Sequence, residues 1–427
     1  MTTAICSNCI EDPHLRGALA EHFEHLECSA CGEESDEAVT VESLAAVLEP
    51  VLREYFVQGA EKKYYSGDDD KGWWEQSGDP LNDIIQTVTG QYFDFEDELV
   101  DAVCELDDAW PPDGEEPLWE AGANYVPRRI LPYQFTDHWN AAIEDLKLNR
   151  RFFSFIVREL FDSLFVNVGH MFAPLGSESL PVTISLPVGT VLFRARVCSS
   201  LAQMEKMADA PLALVGPPPS ELAKSGRMNP EGVVVLYAAF EEDTARAELR
   251  PAIGNDLALI KLVTTQPLKV LDLERLERVT AATNLSYFQS DYEEQVTKHT
   301  FLRRLHGLIS QPVVPGKESD YLITQTMAEY LAHVHAEKFD GVKFASAQAA
   351  GGMNVVLFSR YGGDTRSIPE RFGVDYLPES ISFSRVTQVH YSHTSAEYVV
   401  REDGQSFVYL PNLQHYDDED EDGDDYA

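Results

Sequence analysis

The sequence predicts an α+β chain built in three successive parts. Three observations predict it: two Cys-x₂-Cys pairs within the first 31 residues, apolar residues recurring at helical intervals from about residue 36 to 169, and a change after Pro181 to short β-rich runs. At 427 residues the chain exceeds one ordinary domain and has room for two to three. The expected divisions are 1–35, 36–175 and 181–362, followed by a β extension over 363–412 and an acidic tail over 413–427.

In the first part, Cys6-x₂-Cys9 and Cys28-x₂-Cys31 flank the stretch HLRGALAEHFEHLE. Two thiolate pairs on tight knuckles supply four tetrahedral ligands, the pattern of a structural Zn²⁺ ribbon. The alternative is a pair of unliganded motifs, one of them redox-active, which lacks a thioredoxin-type strand-to-helix pattern to support it. His22 and His25 would share a face on a helix and could then compete as ligands, although solvated or packed side chains are the commoner reading. Of the six cysteines, only Cys104 and Cys198 stand alone, in apolar contexts that suit small buried hydrophobes.

In the second part, Val41, Leu44, Ala45, Leu48, Val51, Leu52, Tyr55 and Phe56 recur at three- and four-residue spacing, with Pro50 predicting a kink. A second helix is expected through Trp139, Ile143, Leu146, Phe153, Ile156, Leu160 and Leu164. Acidic, Gly/Pro-rich loops separate the two.

The third part alternates predicted strands (TVLFRARV, VVVLYAAF, LALIKLV, LKVLDL, GVKFAS, NVVLF) with helical pieces around TARAELR, LERLERVTAA and YLITQTMAEYLAHVHAEKF. Beyond it, ISFSRVTQVHY reads as a strand and YVVREDGQSFVYL as a hairpin turning at Asp403-Gly404. The run from Asp417 is low-complexity and acidic, a composition that cannot repay ordering.

Charge narrows the function. With 33 Lys+Arg against 72 Asp+Glu the net charge is −39, which repels phosphate backbones and disfavours general nucleic-acid binding. The start has no signal-peptide pattern and no apolar run spans a bilayer, so the expectation is a cytoplasmic protein with no membrane partner. Motifs for P-loop, dinucleotide-fold, zincin and serine-hydrolase chemistry are absent.

What remains lies in the third part. Arg194 is on TVLFRARV, Gly226-Arg227-Met228-Asn229 forms a turn, Tyr237 ends VVVLY, Glu248 follows TARA, and Ser346 ends GVKFAS. Taken singly, each has a bland reading: a surface-paired arginine, a packing tyrosine, a solvated glutamate in a first helical turn, a strand-end serine. In this order, with Phe-Asp-Gly-Val-x-Phe-x-Ser and Asn-Val-Val-Leu-Phe behind them, they resemble the RES family over about 170 residues, from Pro187 to Phe358. Met228 stands where many relatives have an aromatic, and Ala347-Gln348 replaces a more polar stretch.

The resemblance implies an ADP-ribosyltransferase-like mixed β-sheet domain that degrades NAD⁺ or transfers its ADP-ribose. It implies catalytic roles for Glu248, Arg194, Tyr237 and Ser346, and NAD⁺ contacts from Arg194, Arg227, Asn229, Tyr237 and Ser346, with Arg196 the alternative to Arg194. The chemistry gives these types a reason. Loss of nicotinamide passes through an oxocarbenium-like transition state that a carboxylate stabilises, and guanidinium groups meet phosphate or ribose oxygens with paired hydrogen bonds. Ser346 has no His/Asp partner in view and is not assigned as a nucleophile.

The stretch KLNRRFFSFIVREL resembles the HEPN-like bundle that precedes some RES domains, and similar zinc-ribbon starts accompany it. The Arg-x₄₋₆-His pair of HEPN ribonucleases is missing: Arg129 and His138 are too far apart, and Arg16 with His22 falls inside the cysteine module. A non-catalytic bundle that senses, assembles or restrains is expected. The functions compatible with this reading are an NAD⁺ glycohydrolase toxin or defence effector, a protein ADP-ribosyltransferase using the same site, and a non-enzymatic acidic adaptor. NAD⁺ and an antitoxin or regulatory protein are the expected partners, and oligomerisation is left open.

Overall fold

The protein, seen as a computed structural model, is described over residues 2–64, 73–107, 117–175, 178–279, 285–310, 318–361, 365–389, 397–400 and 406–409. The chain begins with a three-stranded antiparallel sheet of β1 (Ala4–Cys6), β2 (Glu24–Glu27) and β3 (Glu34–Thr40), with β3 in the middle. Thr40 ends β3 and caps the next helix, its Oγ1 accepting a 3.2 Å hydrogen bond from the Ser43 amide. That helix, α1 (Val41–Tyr55), runs through Pro50 and buries Leu44, Ala45, Leu48 and Leu52 along one stripe.

Two further helices, α2 (Leu81–Thr89) and α3 (Glu96–Asp107), pack beside α1. Gly90, at φ 73°, ends α2 in the left-handed conformation that a side chain would strain. A single core joins the cysteine module to these helices, running from Ile5, Cys6 and Cys28 through Leu48 and Leu99 to Trp119 and Tyr125. The expected division at residue 35 therefore falls inside β3, and the region read as helical with long connections also carries short strands at Phe56–Gln58, Asp79–Pro80 and Asn124–Pro127. The stretch between the cysteine pairs is α-helical only over Pro13–Ala18, His22 ends a short 3-10 turn (Ala20–His22), and His25 lies on β2.

The second expected helix is two: α4 (Tyr133–Glu144) and α5 (Phe155–Phe165), parted by a π-helical turn at Asp145–Asn149. Arg150 occupies the position where the apolar stripe should continue, and Ser154 restarts the helix by accepting from the Val157 amide at 3.2 Å. Phe153, expected on the buried stripe, is 85% exposed. Helices α4 and α5 join the core of the C-terminal part, not that of the cysteine module.

That part is organised on a nine-stranded mixed sheet. Its strands are β4 (Thr183–Leu186), β5 (Val191–Cys198), β6 (Val235–Ala239), β7 (Asp256–Thr264), β8 (Leu268–Asp272), β9 (Gly341–Ala345), β10 (Met353–Phe358), β11 (Val374–Tyr376) and β12 (Ser382–Arg385). They run in the order β4-β8-β9-β10-β6-β5-β7-β11, with β12 also paired to β7. Only β8 and β9 are parallel. The curl of this sheet makes the site: β5 pairs with β7 at eight positions but meets β6 at one, Phe193 opposite Ala239, so the sheet opens between β5 and β6.

Four helices frame the opening and its back: α6 (Pro211–Val215), α7 (Glu242–Ala247), α8 (Tyr292–Ser310) and α9 (Leu322–Glu329). One sheet face packs on α4, α5, α8 and α9 through residues such as Trp139, Phe161, Phe301 and Met327. The other packs Leu192, Leu236, Ile260 and Leu357 against Met207 and Val215. Every predicted strand of this part is present, including β12 in ISFSRVTQVHY. Strands Glu397–Val400 and Ser406–Tyr409 pair as the expected hairpin, while its turn at Asp403-Gly404 and the acidic tail lie outside the described residues. Among the described residues no helix is long and apolar enough to cross a membrane.

Candidate functional site

Where β5 and β6 part, a cavity of about 490 Å³ opens to solvent, lined by Phe193–Arg196 of β5, Tyr237–Ala239 of β6, Arg227, Glu248, Tyr321, Phe344 and Asn354. Its size is in the range of small-molecule sites, about 300–1,000 Å³.

Glu248 sits at the C-terminal end of α7, its amide donating to Thr244 O at 3.0 Å. Its Oε1 accepts two short hydrogen bonds, from Ser346 Oγ at 2.6 Å and from Asn354 Nδ2 at 2.7 Å. Both donors come from the neighbouring hairpin of β9 and β10. Ser346 is itself fixed, because its Oγ accepts from the amides of Gln348 (3.1 Å) and Ala349 (3.0 Å). Hydrogen bonds to an ionised acceptor are the strong kind, so one carboxylate oxygen is pinned while Oε2 has no hydrogen bond among the described residues. Glu248 is exposed to solvent through the cavity mouth. Ser346 does not line the cavity; its hydroxyl is spent on Glu248 and on the turn that follows β9.

Arg194 reaches across the split. Its Nε donates to Val215 O at 2.9 Å and its Nη1 makes a short hydrogen bond to Tyr237 O, so the guanidinium supplies the donors that β5 and β6 no longer give each other. Burial, with Arg196 adding to it, lowers the Arg194 pKa to about 10, which leaves the group charged at neutral pH. Arg196 donates from Nη1 to Leu214 O at 2.8 Å and also lines the cavity.

The Tyr237 ring faces the cavity, and its hydroxyl serves the Gly226–Asn229 turn. It accepts from the Met228 amide at 3.0 Å and donates to Asn229 Oδ1 at 3.0 Å. Burial pushes this phenol up to about 12. Gly226 lies against the same hydroxyl: a Cβ there would come within 2.8 Å of it and 2.7 Å of Asn229 Oδ1, so only glycine fits. Asn229 is 4% exposed, and its Nδ2 donates to Lys224 O, Pro230 O and Val233 O. It builds the turn and does not line the cavity. Arg227 does line it, with the charge of Glu248 among those acting on its guanidinium.

Several contributors escaped the reading of the sequence. Asn354 begins the Asn-Val-Val-Leu-Phe run, which reads as a strand and as part of the RES pattern with no role for its asparagine; an asparagine heading an apolar strand is the signal that could have marked it, and it is 5% exposed. Helix α9 holds the Arg227 turn from behind: Gln325 Nε2 donates to Gly226 O (2.8 Å) and Asn229 O (3.1 Å), and Thr324 Oγ1 to Arg227 O (2.6 Å). Arg250, on the cavity rim, has φ 46°, uncommon for a residue with a side chain.

A second cluster lies far back in the chain. The sulfurs of Cys6, Cys9, Cys28 and Cys31 all fall within 4.8 Å of one another, and Cys6 and Cys31 Sγ are 3.8 Å apart. Four thiolates about 2.3 Å from one ion would sit about 3.8 Å from each other, so the set fits a tetrahedral metal. The Cys6 amide also donates to Cys28 Sγ at 3.3 Å, a bond that favours the thiolate a metal needs. His25 is not part of this cluster; it pairs with Asp36 at 2.7 Å.

Comparison with curated proteins and with solved structures finds no match. A family model does match: the RES domain, over residues 192–378, which takes in β5 to β11 and every residue described around the cavity. The split sheet, with the ordered Arg, Tyr, Glu and Ser gathered at its opening, thus lies in the segment that matches the RES domain, a family of NAD⁺-related toxin domains.

Proposed function

We propose that the cavity cleaves the nicotinamide–ribose bond of NAD⁺ with water as acceptor, releasing nicotinamide and ADP-ribose. The observation that carries this reading is the Glu248 carboxylate, held by Ser346 and Asn354 at the mouth of a cleft that also presents Arg194, Arg227 and the Tyr237 ring. As the C1′–N bond breaks, its electron pair leaves with nicotinamide and positive charge develops on the ribose. A carboxylate fixed in advance stabilises that charge without having to reorganise. Water then adds to C1′ and gives up a proton to solvent. The arginines bind the dinucleotide's phosphates and ribose oxygens, and the Tyr237 ring offers a face to a flat group.

In this reading Ser346 is a positioning residue. The cysteine cluster holds a structural zinc ion, since four sulfur ligands leave no open coordination position for chemistry. The described chain outside the RES part acts as a regulatory or assembly module, and an inhibitory protein partner is in keeping with a toxin domain.

The test is to incubate the purified chain with NAD⁺ alone. Free nicotinamide and ADP-ribose are expected. Turnover that begins only when a protein target is added would replace hydrolysis by ADP-ribosyl transfer, and no turnover under either condition would overturn the reading. Glu248→Gln keeps the shape and removes the charge, so kcat should fall by about 100-fold or more while NAD⁺ still binds.

A further inference from the structure

Where β9 runs out beside Ser346, one of its backbone amides has outrun the strand next to it. Amides of β9 point alternately to its two neighbours. Ser346 N donates to Gly352 O on the β10 side at 2.8 Å, so the Ala345 amide faces the opposite edge. That edge pairs with β8, whose last rung sets Asp272 opposite Lys343. The Ala345 amide lies two residues beyond this rung in a half-buried position, where an N–H without an acceptor is costly.

A side chain takes the place of the missing strand. His306 of α8, 8% exposed, accepts from the Ala345 amide at Nε2 (3.2 Å), and its Nδ1 lies 2.8 Å from Glu277 Oε2. An amide N–H only donates, so Nε2 carries the lone pair. The ring proton then sits on Nδ1 and is donated to the Glu277 carboxylate. Glu277 closes the helical turn Leu273–Glu277 that follows β8 directly, and the buried Leu273 and Leu276 fix that turn in the core. The imidazole thus extends the edge of β8 by one rung, with both nitrogens engaged. The amide it takes belongs to the residue before Ser346, whose hydroxyl donates to Glu248 at 2.6 Å.

We propose that His306 is a positioning residue for Glu248, holding the end of β9 so that Ser346 meets the carboxylate. This rests on the reading of Glu248 as the group that stabilises charge on the ribose. His306 does not line the cavity, and its hydrogen bonds go to Glu277 and to backbone, so its effect passes through the Ala345–Ser346 peptide. When that strand end drifts, the bond from Ser346 to Glu248 Oε1 is lost and Asn354 alone holds the carboxylate. Displacements of this size far from the reacting atoms are enough to slow a preorganised site.

Kinetics on the full chain test the assignment. His306→Leu fills the space without an acceptor and should lower kcat for NAD⁺ about 5-fold with KM nearly unchanged. His306→Gln, whose side-chain oxygen reaches the same amide, should bring kcat back to within about 2-fold of the wild type. In a Ser346→Ala background the His306→Leu loss should disappear, because the link it acts through is already gone. A folded His306→Leu with wild-type kcat, or a loss that persists undiminished after Ser346→Ala, would reduce His306 to a packing residue. Should His306→Leu fail to fold, nitrogen NMR of the wild type decides: the ring signal that vanishes in His306→Gln should show Nδ1 protonated and Nε2 bare, and the opposite tautomer or an imidazolium at the pH of the assay overturns the proposal. Hydrogen exchange over residues 343–350 separates this from the hydrolase reading. A wild type that leaves NAD⁺ intact sinks that reading, while faster exchange in His306→Leu than in His306→Gln still upholds the grip on β9, and equal exchange in all three proteins refutes it.

Discussion

Glu248 and its two hydrogen-bond donors set the chemistry at the scale of single residues. Ser346 and Asn354 converge on the same oxygen, so either alone can hold the carboxylate in place after the other is removed. Each single truncation, Ser346→Ala or Asn354→Ala, should therefore lower kcat about 10-fold with little change in KM, and the double variant should lose more than the product of the two. A double-mutant cycle on kcat checks this; strictly multiplicative losses would mean that the two residues contribute independently of each other and that neither backs up the other. At this scale the sequence was a partial guide. Arg194, Tyr237, Glu248 and Ser346 were legible as an ordered set, but what each side chain touches was not. Tyr237 and Asn229 look like ligand-binding residues on paper because turn-building and ligand-binding use the same hydroxyls and amides, and only the fold shows which partner they meet.

Among elements, the Gly226–Asn229 turn depends on a helix nearly a hundred residues further on. Gln325 of α9 satisfies two of its carbonyls, and at 9% exposure no solvent replaces that amide. Gln325→Leu fills the same space without donors, so it should lower global stability by about 2 kcal/mol, read from the denaturant midpoint, and raise KM for NAD⁺ by releasing Arg227. A stable variant with unaltered KM would show that the turn holds itself. Strands were the legible elements here, because β-branched runs between turn residues announce themselves locally. Helix α8, 19 residues long, was not legible. Its buried side includes Thr297, Lys298, His299 and His306, which interrupt the apolar stripe that marks a helix. The break between α4 and α5 was missed for the opposite reason: apolar residues resume on nearly the same phase after Arg150, and the cap at Ser154 is a local signal that periodicity overrode.

For the whole molecule the decisive fact is the existence of separate cores, one built on the cysteine cluster and α1 to α3, the others on the two faces of the nine-stranded sheet. They touch through aromatic rings: Tyr55 at the end of α1 lies 4.9 Å from Tyr292 at the start of α8, and Tyr287 stacks on Tyr292 at 4.5 Å. Cys6 and Cys28 are buried members of the first core, so a metal held there ties β1 to the loop before β3 from inside that core. Removing the metal with a chelator should then unfold the first core as a unit, since a metal bound only by the folded form stabilises it by mass action. Hydrogen exchange should show protection lost across 2–64 and 73–107 and in the docked segment 285–292, while β5 to β10 stay protected. NAD⁺ turnover should change by less than roughly twofold, because the cavity draws no lining residue from the first core. Loss of protection in the main sheet, or turnover that falls in step with metal content, would show instead that the ring contacts at Tyr55 make the chain one cooperative unit, with the metal site a control on the cleft.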